Sequence, residues 1–344
     1  MCEHMVEFAR RVRLATLMLP FLILVAAPVL AQTDTSSRTT KREELEKAML
    51  DITRMFQNDP RYNKGKTPQQ IQDGVEFVTG NVLFILGHET GHALVSVFEI
   101  PVLGREEDAA DSLAALVALK MGNAFADRVV VNAAKGWFLS DQRDKKRGIP
   151  TAFYDEHGLD LQRAYNIVCL MVGGAREKFM GLAQEVKLPK QRQDTCQYDF
   201  SNVEWSWEEV LKPHKRKPED PKTKIEVSYG PTREFTTIAE LGRKLQILET
   251  VAEWLSEDFV WTKPISLEMK ECGRADARWL PGEKKIFVCY EMVREFIQLH
   301  RSFGQAELVP GPMEMSKNNK IVAAKPNAGK NRGGKAYRSG RAPR

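Results

Sequence analysis

The sequence has no internal repeat, and only five of its 344 residues are cysteine and six are histidine. The lack of a repeat excludes the solenoid and propeller folds that are built from repeated units. So few cysteines cannot form a dense disulfide framework. The 42% hydrophobic and 28% charged residues are those of ordinary globular proteins with one large domain or two small ones. Composition therefore excludes neither an enzyme nor a binding protein.

The body of the chain also lacks an excess of positive charge, although the whole chain has a formal net charge of +5. Residues 305–344 contain nine lysines and arginines and two glutamates, a net charge of +7, and residues 1–31 carry +1. This leaves −3 on residues 32–304, so no specific nucleic-acid partner is expected. The basic segment 305–344 has almost no large apolar residues and is predicted to be a disordered tail. A solvated tail is expected, and weak contact with anionic surfaces is the alternative.

Long apolar runs are confined to the N-terminus. Three arginines at positions 10, 11 and 13 precede an apolar stretch over 14–25, and small residues end at Ala31. This order is typical of a secretory signal peptide over 1–31, cut after Ala31. An uncleaved membrane anchor is the alternative, because residues 14–31 are uncharged, but Pro20 and Pro28 interrupt that stretch. We therefore expect an exported protein, periplasmic or secreted, with no transmembrane segment after cleavage.

Export determines what the cysteines imply. The first cysteine is lost with the signal, and the four that remain are an even number, which suggests two disulfides. Cys272 and Cys289 flank a predicted hairpin turn at 280–283, which would bring them together across two strands. We therefore expect Cys169 to pair with Cys196 and Cys272 with Cys289. Four free thiols are the alternative if the chain is not exported.

Helical periodicity dominates the body, so we predict an α+β fold that is mainly helical, with a small C-terminal hairpin or sheet element. A polar linker at 32–40 precedes one domain over 41–304. This domain comprises a helical part (41–211), a Pro-rich linker or surface loop (212–234) and a helix-and-hairpin part (235–304). Helices are predicted at 42–56, 69–98, 113–121, 127–140, 161–172, 238–256 and 292–300, and strands at 265–269 and 285–289.

The sequence HETGH at 88–92 contains two histidines with helical spacing. Residues four apart share one face of a helix, so His88 and His92 can bind the same metal ion. Glu89 lies one step round from His88, where it can hold a water molecule at the metal without being a ligand. This HExxH pattern predicts a metal site. A polar notch in a helical hairpin is the alternative.

A second pair follows a break at residues 101–104, after which the sequence GREED restarts a helix with acids in its first turn. Zinc bound by two histidines needs a third protein ligand and an open position, and Glu107 can supply the carboxylate. Asp111, one turn on, can accept the second ring N–H of a ligand histidine and fix its tautomer. We predict one Zn²⁺ per chain, with Glu106 or Asp108 as replacement ligands.

HExxH followed by ExxxD is the gluzincin pattern of thermolysin-like and prenyl-protein endopeptidases. More closely, HETGHALVSVFEIPVLGREEDAADSLAAL at 88–116 resembles a bacterial metallopeptidase family known only as a domain of unknown function. HELGHAL, a loop with Pro and Gly, and GREEDAAD recur in that family, and Thr90 departs from its commoner Leu. The resemblance continues at 155–174 and 272–292. It implies a zincin-like zinc peptidase and names no substrate.

The zinc mechanism assigns further roles. Glu89 is expected to take the proton of the attacking water and pass it to the leaving amine. A tetrahedral oxyanion also needs a donor. His157 is the first candidate, since the other histidines outside the motif lie in the signal, the Pro-rich segment and the last helix. Tyr165 is the second candidate, and a structural or surface role for His157 is the alternative.

The C-terminal sequence RADARWLPGEKKIFVCYEMVREF is similar to the hairpin and short helix that precede HExxH in prenyl-protein endopeptidases. Here it follows the motif by about 180 residues, so the order is permuted under this interpretation. The hairpin would then supply a sheet edge along which a peptide lies. An unrelated disulfide-linked hairpin is the alternative.

These features predict an exported zinc metallopeptidase that hydrolyses peptide or protein substrates. A zinc-stabilised periplasmic binding or scaffold protein without turnover is the alternative, although Glu89 argues against it because a structural zinc site does not need this residue. A hydrolase of a non-peptide amide would use the same residues.

Overall fold

The computed structural model describes residues 46–304, 306 and 308 of the chain. The expected signal (1–31), the linker (32–40) and nearly all of the expected basic tail (305–344) lie outside the described residues. The described part is mainly helical and has one small sheet, which confirms the predicted fold class. None of its helices has both the length and the apolar character needed to cross a bilayer.

The helices are numbered in chain order, and α1 covers residues 46–58. The others are α2 (Pro60–Asn63), α3 (Pro68–Phe98), α4 (Glu106–Met121), α5 (Ala124–Arg147), α6 (Asp160–Gly174), α7 (Arg176–Glu185), α8 (Lys190–Leu211), α9 (Thr236–Lys244), α10 (Ile247–Asp258) and α11 (Tyr290–Phe303).

The central helix is α3. It begins with a capping box, in which the Thr67 side chain accepts from the Gln70 backbone N–H and the Gln70 side chain accepts from the Thr67 backbone N–H. Apolar residues occur on all its faces, and it packs against α4, α5, α11 and the sheet. Because α3 is buried on most sides, polar side chains in its second half need partners inside the protein.

The chain turns back after α3 through a short loop that contains Pro101. Glu99 adopts a left-handed conformation at the end of α3. The next helix, α4, has three acidic residues in its first turn, where they interact favourably with the helix dipole. The two helices pack closely against each other, as an αα-hairpin.

The sheet has four strands in the order β1-β2-β4-β3, namely β1 (Glu226–Tyr229), β2 (Ser266–Lys270), β3 (Ala277–Leu280) and β4 (Lys285–Cys289). Strands β1, β2 and β4 are parallel neighbours. Strands β3 and β4 form an antiparallel hairpin in which Leu280 pairs with Lys285. The edge strand β3 packs against α3.

Two disulfides connect elements in different parts of the fold. Cys169 on α6 is bonded to Cys196 on α8, with 4.9 Å between their Cα atoms. Cys272, just after β2, is bonded to Cys289 at the end of β4, with a Cα distance of 5.6 Å. The second disulfide therefore holds the loop that leads into β3.

Three features differ from the predicted element list. The predicted helix at 238–256 is two helices, because Gln246 adopts a left-handed conformation (φ 50°) between α9 and α10. Helices α2, α7 and α8 were not predicted. The segment 212–234, predicted to be a linker or loop, contains a short 3₁₀ turn (Lys212–His214) and strand β1.

Candidate metal centre

Small residues allow α3 and α4 to approach closely beside the HExxH motif. A Cβ atom added to Gly91 would lie 2.8 Å from the Ala110 Cα atom, and one added to Gly87 would lie 3.1 Å from the Ala114 Cβ atom. Gly87 and Gly91 are four residues apart, as are Ala110 and Ala114, so they form two facing rows. This close contact brings His88 and His92 on α3 near Glu107 on α4.

The two helices direct one carboxylate and two imidazoles at a common point. Glu107 Oε2 lies 3.1 Å from His88 Nε2 and 3.4 Å from His92 Nε2, and the two Nε2 atoms are 3.2 Å apart. Although its surroundings are polar, Glu107 Oε2 is buried and forms no hydrogen bond of normal geometry with any of the described residues. These three side chains have the composition and spacing of a metal-binding group.

The other ring nitrogen of each histidine faces a carboxylate. His88 Nδ1 lies 2.8 Å from Asp111 Oδ1, and His92 Nδ1 lies 2.7 Å from Glu106 Oε1. An ionised carboxylate only accepts hydrogen bonds, so each Nδ1 carries the proton and each neutral ring directs the lone pair of Nε2 inward. Converging lone pairs repel one another unless a cation or additional protons lie between them. The donor set therefore fits a metal ion.

The electrostatics favour positive charge at this point. Burial lowers the pKa of His92, but the nearby Glu106 and Glu107 carboxylates outweigh it and raise the pKa to about 10. Burial also lowers the pKa of His88. The Asp111 and Glu107 carboxylates outweigh burial, so the pKa of His88 is raised. Burial raises the pKa of Glu107, but the surrounding histidines hold it well below its usual range. A bound cation would replace the protons that this negative environment stabilises.

Glu89 lies on the buried side of the motif, beside the sheet. Its Oε2 atom accepts a hydrogen bond from the backbone N–H of Trp279 on β3, at 2.7 Å. Burial raises the pKa of Glu89, whereas the charges of His88 and His92 and the Trp279 N–H lower it, with a net rise. A buried carboxylate with a raised pKa and one free oxygen is suited to accept and release a proton.

The loop before α6 brings a third histidine to the same carboxylate. His157 Nε2 lies 3.0 Å from Glu107 Oε2, and His157 Nδ1 lies 3.0 Å from Asp155 Oδ1. The contact with the Glu107 carboxylate is the main cause of the raised pKa of His157. Its side chain is 41% exposed, so His157 stands at the solvent side of the cluster.

The structure places the remaining candidates elsewhere. The Tyr165 hydroxyl donates to the Val186 carbonyl oxygen at 2.9 Å, and its ring packs on Phe138. Asp108 pairs with Arg105 and is not directed at the cluster. Glu106 contacts the outer nitrogen of His92, not its Nε2 atom.

Two parts of the site were not predicted from the sequence. Arg163 on α6 donates two hydrogen bonds to Asp111, and the Trp279 backbone N–H binds Glu89. These pairs are separated by 52 and 190 residues. A backbone N–H leaves no signal in a sequence, and one arginine in an apolar helix gives no indication of its partner.

A helical hairpin that combines two histidines, four acidic side chains and a neighbouring sheet edge is the type of site found in metal-dependent hydrolases. The model of the family DUF4344, described as "Putative metallopeptidase", matches residues 43–211 and 230–323. The match covers well over half of the chain, so the chain belongs to this family, as the resemblance predicted. No curated protein and no solved structure matches the chain. Family membership supports a peptidase function and implies a bound metal.

Proposed function

We propose that the chain is an exported zinc-dependent metallopeptidase, with His88, His92 and Glu107 as the metal ligands and one Zn²⁺ per chain. The observation that carries this proposal is the convergence of both Nε2 atoms on the buried, unbonded Glu107 Oε2 atom. Two imidazoles and one carboxylate form a common ligand set of catalytic zinc, which keeps a further position open. The outer contacts with Asp111 and Glu106 hold the two rings.

When bound, zinc polarises the scissile carbonyl and lowers the pKa of a water molecule towards neutrality. Glu89 then acts as the general base, with Oε2 held by the Trp279 N–H and Oε1 free to take the proton of the attacking water. Glu89 passes this proton to the leaving amine. The raised pKa of Glu89 lies closer to neutral pH, which suits a group that must first take a proton from water and then give it to the amine.

His157 is proposed to stabilise the negative charge that develops on the carbonyl oxygen. Its Nε2 atom lies at the mouth of the cluster, and Asp155 holds its Nδ1 atom. A ring that carries protons on both nitrogens can donate from Nε2 to an oxyanion. Tyr165 is the weaker candidate, because its hydroxyl is already bonded to Val186.

The substrate is proposed to lie along β3, the edge strand beside Glu89. The Cys289 N–H donates to the Asp276 carbonyl, so the alternation of an antiparallel ladder directs the backbone groups of Ala277 and Trp279 away from β4. One of these groups, the Trp279 N–H, binds Glu89. An extended peptide that pairs with the remaining groups would place its backbone next to the general base. This arrangement supports the permuted-hairpin interpretation.

Export is part of the proposal, and the two disulfides support it, because such bonds persist in oxidising compartments. The alternative is a zinc-stabilised binding or scaffold protein. Glu89 favours the enzyme, since a buried carboxylate beside the ligands costs stability and a structural site does not need it.

Metal analysis of the purified mature protein tests the proposal. We expect about one zinc per chain in the wild type, none in His88→Ala or His92→Ala, and weakened binding in Glu107→Ala. Gly181→Ala is the control, because a Cβ atom there meets no other atom within 4 Å. A wild-type protein that binds no zinc would overturn the proposal.

A further inference from the structure

A buried chain of contacts extends from His88 through three helices. Asp111 Oδ1 faces His88 Nδ1 at 2.8 Å. Arg163 binds Asp111 with both arms of its guanidinium, Nε to Oδ2 and Nη2 to Oδ1, each at 2.6 Å. Behind it, the guanidinium carbon of Arg163 lies 3.7 Å from the centre of the Trp137 ring on α5. Imidazole, carboxylate, guanidinium and indole thus follow one another without an intervening gap.

The two charged side chains in this series of contacts are unusually deeply buried. Arg163 is 7% exposed and Asp111 is 9% exposed. A buried charged pair of this kind costs desolvation energy and is weak evidence for stabilisation of the fold. Two hydrogen bonds and a stacked aromatic ring hold the guanidinium from two sides, which fixes its position closely. The closely fixed Arg163–Asp111 pair therefore indicates a role other than stabilising the fold.

His92 provides an internal comparison. Its Nδ1 atom faces Glu106, whose side chain is 44% exposed, whereas the side chain of Asp111 is 12% exposed. Within the described part of the chain, Glu106 pairs with His92 and with no lysine or arginine. A surface carboxylate of this kind can be replaced by water at little cost. The two histidines therefore have one rigid and one replaceable outer partner.

We propose that Arg163, stacked on Trp137, is a positioning residue for the metal centre and acts through Asp111 on His88. The inference rests on the proposed role of His88 as a metal ligand. Arg163 donates to both oxygens of Asp111 and so favours its ionised form, which can only accept the hydrogen of His88 Nδ1. This fixes the tautomer and the ring plane of His88 and directs its Nε2 lone pair at the metal.

Zinc affinity, measured by competition with a chromogenic chelator, tests the proposal. Loss of an outer-shell partner typically weakens metal binding about 10- to 100-fold. We expect a loss of that order in Arg163→Gln, only partial recovery in Arg163→Lys, which cannot form the two-armed contact, and a smaller loss in Trp137→Leu. Glu106→Gln should weaken zinc binding less than Arg163→Gln does, because water can replace this exposed carboxylate as the partner of His92. The matched control is Arg216→Gln, since Arg216 is also largely buried and pairs with Glu257 away from the cluster.

A double-mutant cycle separates positioning from a merely structural role. In the Asp111→Asn background, Arg163→Gln should cause no further loss of zinc affinity, whereas in the Glu106→Gln background it should cause its full loss. Equal losses in both backgrounds, or wild-type affinity in Arg163→Gln, would overturn the inference while leaving the proposed function intact. If Arg163→Gln does not fold, an unchanged affinity in Trp137→Leu overturns it. A wild-type protein without zinc affinity overturns both proposals.

Discussion

The Glu89 carboxylate accepts a hydrogen bond from the backbone N–H of Trp279, although 190 residues separate the two in the chain. This bond connects the HExxH helix to the edge strand of the sheet. The position of the proposed general base therefore depends on the C-terminal hairpin as well as on its own helix. Any change that moves β3 should affect catalysis more than it affects the metal ligands, which lie on α3 and α4.

Removal of the Cys272–Cys289 disulfide should separate these two effects. The bond closes a loop with a sequence separation of 17 residues, so its loss should destabilise the protein by about 3 kcal/mol. We expect Cys272→Ser/Cys289→Ser to keep its zinc, to melt at a lower temperature and to lose peptidase activity. Metal analysis, calorimetry and a peptide-cleavage assay on the same preparation check this.

The other disulfide serves as the comparison. Cys169→Ser/Cys196→Ser should destabilise the contact between α6 and α8, near the loop that carries His157, while β3 stays in place. Peptides that link 169 to 196 and 272 to 289 are expected in non-reduced digests of exported protein. Four free thiols in such protein would contradict the pairing and the exported-protein hypothesis.

The close approach of α3 and α4 should tolerate no added side chain at Gly91. A Cβ atom there would lie 2.8 Å from the Ala110 Cα atom, so α4 must move away from α3. We expect Gly91→Ala to lower the free energy of unfolding by about 1–3 kcal/mol and to weaken zinc binding, because Glu107 moves with α4. Equilibrium denaturation and chelator competition measure the two effects. The helical control Gly181→Ala should leave zinc affinity unchanged and raise the free energy of unfolding slightly, because alanine favours the helix and meets no clash there. Wild-type zinc affinity in Gly91→Ala would contradict the explanation.

His300 should make the free energy of unfolding depend on pH below about 7. Burial, with its ring packed against Phe77, lowers the pKa of His300 below its usual value. As the pH falls through the unfolded-state pKa of about 6.5, the unfolded chain gains the proton first, so the free energy of unfolding decreases. His300→Phe should remove this contribution. Below pH 6.5 the free energy of unfolding should therefore fall more steeply for the wild type than for His300→Phe. Parallel plots of this free energy against pH would contradict the burial of a neutral imidazole.

The local parts of the site could be predicted because the sequence spacing encodes them directly. His88 and His92 share a helix face, and so do Glu107 and Asp111, while the turn between the helices contains proline and glycine. The β3–β4 hairpin likewise has its turn residues at 281–282. In each case the interacting residues are neighbours in the chain or in one helical turn.

The unpredicted parts depend on long-range contacts. Strand β1 has a half-exposed residue at every second position and lies in a charged, Pro-rich segment, so it forms a strand only because β2 pairs with it. Helix α8 buries only Cys196, Trp207 and Leu211, too few to produce a helical hydrophobic period. The break at Gln246 contains neither proline nor glycine. No short window of sequence contains this information.

The central claim is that this chain hydrolyses peptides with Glu89 as the general base. The most direct test compares how fast zinc-loaded wild type and zinc-loaded Glu89→Gln cleave a broad peptide library. The variant replaces a carboxylate oxygen that takes no part in the ligand set, so it should fold and retain zinc. We expect the wild type to cleave library peptides and the variant to be slower by about 100-fold or more. Equal cleavage by the two proteins, or no cleavage by a zinc-loaded wild type, would contradict the account.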